Sequence, residues 1–181
     1  MNDVIKTILS RKGTRVYKKT PISKETLELL AKAAVAAPNA YNAQKWHFSI
    51  ISNNELLSEL EYKVFLKLVE VGICEEGENY KPFHEAPVVM VFSAAMDNEF
   101  GKQDCSAANQ NVAIAAKSLN LGSRFLDVPN PFFNSPEGKK YRKRIGLPED
   151  YETICFLSIG YPEDPDELPT EKSMDVVTYI E

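Results

Sequence analysis

Apolar positions along the chain alternate between helical spacing and short continuous runs, and the changes of pattern mark the elements. Val4, Ile5, Ile8 and Leu9 fall at helical spacing and predict a short amphipathic helix that ends near Gly13. Pro21-Ile22-Ser23 opens a second helix, with Ser23 as N-cap and Glu25 in the first turn. Leu27, Leu30, Ala31, Ala34 and Val35 form its apolar face, and Pro38 stops it. Trp46 to Ile51 reads as a strand, closed by Ser52-Asn53-Asn54. Leu56, Leu57, Leu60, Leu66 and Leu68 predict a helix from Glu55 to Val71, and the polar, acidic stretch Gly72 to Lys81 predicts a loop.

Pro87 to Phe92 is a continuous apolar run of strand length, the pattern of a strand buried on both faces. Asp104 to Leu119 is the longest predicted helix, and Ala107, Ala108, Ala113, Ala115 and Ala116 permit close packing against it. Gly122 suits a helix C-terminal turn, and Ser123 to Leu126 a short strand. Ser135-Pro136-Glu137 is a helix start: a capping hydroxyl, proline at the first position, then an acid. That helix runs to Arg144 before Gly146-Leu147-Pro148 breaks it. Tyr151 to Ile159 is a further strong strand, ended by Gly160-Tyr161-Pro162. Glu163 to Lys172 is proline- and acid-rich and reads as extended, and Val176 to Ile180 has a terminal strand pattern. Strands interspersed with helices, without repeats or a domain boundary, predict one mixed α/β layered domain over residues 1–181.

The length of 181 residues allows a sizeable core, and 44% hydrophobic with 26% charged residues is ordinary globular composition. A net charge of −5 argues against general nucleic-acid binding, while leaving room for a small anion held by a local basic cluster. No apolar run reaches the roughly 18–20 residues of a membrane helix. The N-terminus is charged too early for a signal peptide. Cys74, Cys105 and Cys155 form no C-x-x-C pair and no metal-type grouping, so no metal site is expected. An odd count without a secretory signal reads as reduced thiols in a cytoplasm. Cys105 and Cys155 fall in predicted core elements and read as inert packing. His47 begins a strand and reads as a packing residue. Phe83 and His84 follow the acidic loop, placed either to border a pocket or to fold onto the core.

No G-x-G-x-x-G or Walker-type loop is present, so a phosphate would have to be held by side chains. Arg11-Lys12-Gly13-Thr14-Arg15 packs three cations into five residues around a glycine, with Lys18 and Lys19 beyond. Guanidinium forks match phosphate oxygens, Lys12 adds a point charge, and Gly13 lets backbone N–H groups approach an anion. The loop Pro38-Asn39-Ala40-Tyr41-Asn42-Ala43-Gln44-Lys45-Trp46 carries three amides, and amides can read the mixed donor and acceptor edge of a flavin ring without a charge cost. Taken alone, the first stretch is equally a solvated basic turn, and the second a helix-to-strand connection turned by its asparagines.

In order and spacing the two stretches resemble the nitroreductase family. That family has an early R-R-S-x-R-like motif, a helix, then P-S-x-x-N-x-Q-P-W followed by a strand. Arg11, Lys12 and Arg15 match the first motif; Pro38, Asn42, Gln44 and Trp46 match the second. Asp104 to Asn111 resembles the family's central helix, Leu121-Gly122-Ser123 the segment after it, and Ile159 to Pro162 its late strand end. Gly13, Asn39 and Lys45 depart from the pattern, standing for serine or threonine, serine and proline.

The resemblance implies an α+β fold with a central, mainly antiparallel sheet flanked by helices, in an intertwined homodimer. It implies FMN held non-covalently at the dimer interface, with residues 164–181 crossing to the partner subunit and joining its sheet. Arg11 and Lys12 would engage the phosphate beside Gly13, with Arg15 nearer the pyrimidine end of the ring. Pro38, Asn39, Ala40, Asn42 and Gln44 would approach the same flavin from the other subunit. Gly122 and Ser123 would line the ring or ribityl side, and Lys172 sits where members often place a phosphate-binding cation. NADH or NADPH would supply a hydride, and a nitroaromatic or quinone would receive it. Because the flavin does the chemistry, no side chain is assigned a catalytic role. Other acceptors, through ene-reduction, dehalogenation or flavin-consuming chemistry, remain alternatives, as do a non-catalytic flavin-binding protein and an α/β domain without cofactor.

Overall fold

The apolar run Val88 to Phe92 and the strand pattern Tyr151 to Ile159 become the centre of a four-stranded sheet. A computed structural model describes residues 1–181. Strands β1 (Trp46–Ile51), β2 (Val88–Ala95), β3 (Gly122–Leu126) and β4 (Tyr151–Gly160) are ordered β1-β2-β4-β3. Every neighbouring pair is antiparallel. All eight residues of β2 are buried, as its lack of polar alternation requires. The β2–β4 register steps from Phe92↔Cys155 to Ser93↔Thr153, leaving Ile154 as a bulge. The freed Ile154 carbonyl accepts from Asn130 Nδ2 at 2.8 Å.

The period of two sorts β2 side chains onto two cores. Val88, Met90 and Phe92 pack with α2 (Lys24–Val35) and α4 (Gly101–Ser118) through Leu30, Ala34, Cys105, Ala108 and Val112. Val89 and Val91 face the opposite layer: α3 (Asn54–Glu70), α5 (Asn130–Phe133) and α6 (Pro136–Arg144), through Leu60, Val64, Phe132 and Phe133. The result is a sheet between two helical layers.

Helix starts follow the sequence reading: Ser23 Oγ accepts from Thr26 N at 3.2 Å, and Ser135 Oγ from Gly138 N at 3.0 Å. Gly122 does not. The left-handed residue after α4 is Asn120, at φ 58°, and Gly122 opens β3 instead. Glycine is required there because a Cβ would land on the Thr14 side chain. The terminal strand expected at Val176 to Ile180 does not form within the chain. Those residues are exposed, Ile180 at 95%, and no strand of the sheet pairs with them. No helix is long and apolar enough to cross a membrane.

Helix α1 (Asp3–Ser10) buries none of its residues, and Val4, Ile5, Ile8 and Leu9 are exposed. On α2, Leu29 and Val35 are exposed as well. The amphipathic pattern read from the sequence is therefore present, but its apolar stripe has no cover within one subunit.

Candidate functional site

The basic stretch leaves α1 in extended conformation, with Arg11 as the C-cap residue. It is wedged between the start of β3 and the end of β4. Thr14 N donates to the Ser123 carbonyl at 3.0 Å, and Lys18 N to the Tyr161 carbonyl at 2.8 Å. Glu163 N returns a bond to the Val16 carbonyl at 3.1 Å. The buried Tyr17 hydroxyl donates to the Thr14 carbonyl at 2.9 Å, and burial raises its pKa above the usual phenol range. Gly122 and Ser123 are both buried beneath this segment. Their contribution is to fix its position.

The cations on this wedge are used unequally. Lys12 Nζ pairs with Glu167 at 2.6 Å, and Arg11 Nη1 donates to the Lys12 carbonyl at 3.1 Å. Neither Arg11 nor Arg15 takes part in any ion pair. Gly13, Thr14 and Arg15 line an open cavity of ≈ 390 Å³ bounded opposite by Asp164 and Glu167. Lys172 lies in the exposed tail and forms no hydrogen bond or ion pair within the chain, so the structure does not bring it to the cluster.

Two further residues neighbour the cluster: Arg124, which sequence reasoning passed over, and His84, which it left between a pocket border and the core. Arg124 reaches it from β3: the atom nearest to a Cβ built on Gly13 would be Arg124 Nη1. His84 stands in the turn before β2 with φ 58°, followed by Glu85 at φ 51°. Glu61 Oε1 holds that turn, accepting from Phe83 N at 3.0 Å and Glu85 N at 3.2 Å. Burial, with the charges of Arg124 and Arg15, pulls the His84 imidazole down to about 4, so it is neutral at pH 7. Its Nε2 is buried without a hydrogen-bond partner.

The amide loop is built differently. Tyr41, Asn42 and Gln44 all have positive φ, at 55°, 52° and 51°, a costly backbone for residues with side chains. What holds it is Asp104 in the first turn of α4, 5% exposed. Asp104 Oδ1 accepts from Ala40 N at 2.9 Å, and Oδ2 from Asn98 Nδ2 at 3.1 Å. Asn39 Oδ1 accepts from Gln44 N at 2.8 Å, so this amide braces the loop. Pro38, Asn42 and Gln44 are exposed, Asn39 and Ala40 half-buried, and Tyr41 is 91% exposed. Lys45 is held away by Asp97 at 2.6 Å. Trp46 is half-buried at the start of β1 and packs on Phe48.

The two halves hang from opposite ends of α4: the loop from Asp104 in its first turn, the basic wedge from Gly122 beyond its last. Eighteen residues of helix span about 27 Å. The chain therefore carries the two motifs at opposite ends of one helix.

The model of the nitroreductase family, described as "Nitroreductase family", matches residues 8–161. The chain belongs to the nitroreductase family. A putative NADH dehydrogenase/NAD(P)H nitroreductase from Archaeoglobus fulgidus is 32% identical over 168 residues, covering 91% of this chain and 88% of that protein. An iodotyrosine deiodinase from Thermotoga neapolitana is 27% identical, covering 86% of each. A crystal structure of a nitroreductase with bound FMN from Desulfitobacterium hafniense matches with a TM-score of 0.89 at 28% identity, over all of both chains. The nitroreductase fold accounts for the antiparallel sheet between helical layers, and the matched span takes in both halves of the site.

Proposed function

We propose that this nitroreductase-family chain is an FMN-dependent oxidoreductase that works as a homodimer, taking a hydride from NADH or NADPH and delivering it to an oxidised acceptor such as a nitroaromatic or quinone. The observation that carries the reading is the set of guanidinium groups without carboxylate partners around Gly13. Unpaired cations crowded together repel one another, and an anionic ligand relieves that cost. The orphaned His84 Nε2 beside them fits a polar ligand at the same place.

In this reading Arg11 and Lys12 hold the phosphate. Arg15 places its charge where negative charge develops on the ring, and Asn42 and Gln44 of the partner subunit's loop hydrogen-bond the ring edge. Asn39 and Asp104 keep that loop in its strained shape. Lys172 reaches a phosphate only if the tail leaves its present course. Bound FMN supplies the hydride chemistry, and the protein supplies position, field and exclusion of water.

Two observations support the dimer. The halves of the site hang from opposite ends of α4 in one chain, and the apolar stripe of α1, with Leu29 and Val35 of α2, lacks cover. The tail from residue 164 exposes Leu168, Met174, Val176, Tyr179 and Ile180. On a partner's open sheet edge these residues gain both burial and the backbone hydrogen bonds they lack here. Deiodination is the second reading for the acceptor, favoured by the iodotyrosine deiodinase among the relatives.

The test is to purify the protein, extract and identify its flavin, measure the mass in solution, and add NADH or NADPH without oxygen. A yellow dimer that bleaches with either nucleotide is expected. A colourless monomer that takes up no added FMN would falsify the proposal. A chain cut after Asp164 keeps the braces at Tyr161 and Glu163 and is expected to lose the dimer; if it stays dimeric, the crossing tail is wrong.

A further inference from the structure

Arg124 is a strand residue with no protein partner for any of its N–H groups. It lies on β3 opposite Ser158 of β4, on the sheet face that carries Leu126 and Phe156 inward. Beyond that apolar cluster its guanidinium runs out toward the N-terminal wedge. No hydrogen bond or carboxylate within the chain satisfies it, and its Nε is buried without a partner. The groups that feel its charge are Tyr17, Tyr80 and His84, none of which is an anion at neutral pH. A half-buried cation that shares His84 with Arg15 and has no carboxylate paired to it is costly unless something else supplies the counter-charge.

Position 13 is what lets the guanidinium in. A Cβ built on Gly13 would sit 3.3 Å from Arg124 Nη1, tighter than ordinary contact. Gly13 has no positive φ that would demand glycine on backbone grounds. Any side chain there would have to share its space with the guanidinium.

We infer that Arg124 is a cofactor-binding residue, admitted to the anion site by the bare backbone of Gly13 and donating to an oxygen of FMN. The inference rests on the flavin reading above. The oxygen belongs either to the phosphate, whose oxygens can take both prongs of a guanidinium fork, or to a carbonyl at the pyrimidine edge of the ring, which gains negative charge on reduction.

Titration of the apoprotein with FMN and with riboflavin, which lacks the phosphate, distinguishes the two. Arg124→Leu is expected to weaken FMN binding about tenfold or more, the loss expected for one charge-assisted contact. If riboflavin affinity is unchanged, the contact is to phosphate; if it falls in parallel, the contact is to the ring. Arg124→Lys keeps the charge without the fork and should fall between.

A second measurement removes dependence on one variant. Gly13→Ser should weaken FMN in the wild-type background by crowding Arg124, and strengthen it in the Arg124→Leu background, where the hydroxyl finds free space. A purely structural role for Arg124 predicts the same sign in both backgrounds, and that result overturns the inference. So does wild-type affinity for both flavins in Arg124→Leu. If the wild-type chain itself takes up neither flavin, the proposed function falls and this inference with it.

Discussion

The two ends of α4 solve the same problem in opposite ways. At its C-terminal end the wedge from Arg11 to Tyr17 is fixed by backbone: a bridge from Gly13 to Ser123, another from Tyr17 to Pro162, and a close approach that only Gly122 allows. Its side-chain charges are left largely unspent. At the N-terminal end the loop from Pro38 to Gln44 is fixed by side chains, Asp104 and Asn39, and the backbone carries the strain. In the proposed reading, a strongly charged ligand group needs cations whose position does not depend on the ligand, and a rigid seam supplies that. A neutral heterocycle would need donors and acceptors at set angles, and in the same reading the unfavourable φ values of the loop present them.

The largest expected effect comes from attacking the seam. Gly122→Ala drives a methyl into Thr14; overpacking of this kind costs about 1–3 kcal/mol or more, and the wedge should lose its place. Thermal unfolding and proteolysis between Arg11 and Lys19 are the measurements. Unchanged stability with intact flavin uptake would mean the seam is softer than drawn. Asp104→Ala attacks the loop instead. It strands the half-buried Ala40 N–H and the Asn98 amide, costing about 1–3 kcal/mol, and Asp104→Asn should cost less. The two ends are then distinguished by phenotype: the seam variant loses affinity for FMN and free phosphate alike, the loop variant for flavins only.

Arg15→Ala should leave apoprotein stability within about 0.5 kcal/mol, because the residue is exposed and spends no contact. It should lower FMN affinity by about tenfold or more. A fall in stability with unchanged affinity would make Arg15 a structural cation and break the comparison.

The smallest effect is the pH dependence. Folded His84 takes its proton only near pH 4, whereas an unfolded imidazole takes it near 6.5. Between those values the unfolded chain binds more protons, so stability falls as pH falls from about 6.5 to about 4. Glu59 is held down to about 2 by hydrogen bonds from Arg144 and Tyr141, and its contribution is lost lower, as pH falls from about 4.5 to about 2. Denaturation followed across both windows should show His84→Gln flattening only the upper one. FMN should shrink that upper window too, since an anion beside Arg15 and Arg124 eases protonation of His84.

Most of the fold was legible because strand and helix periods are local properties. β2 announced itself by an unbroken apolar run, and α6 by Ser135-Pro136-Glu137. α5 was missed because four residues show no period. The strand pattern at Val176 to Ile180 was legible as a pattern, but a strand needs a neighbour, and the chain offers none. Gly122 was misread because Asn120 can take the left-handed turn itself, leaving the glycine for a contact visible only in three dimensions.

The basic and amide motifs were legible as chemistry. That they attach at opposite ends of one helix was not, since sequence order says nothing of distance. Arg124 and Asp104 escaped notice for a related reason. One stands out only because it lacks a partner, the other only because it is buried, and neither property is written in residue type.

Helix α4 has one more consequence for the proposed dimer. It binds the cationic half of one pocket to the carboxamide half of the other, so each subunit owns two different halves. Co-expressing an Arg15→Ala subunit with an Asp104→Ala subunit would place both lesions in one pocket of the mixed pair and leave its second pocket wild-type. Two weakened proteins, mixed, would then recover wild-type flavin affinity at one site in two, a form of complementation open only to an enzyme whose sites are shared in this way.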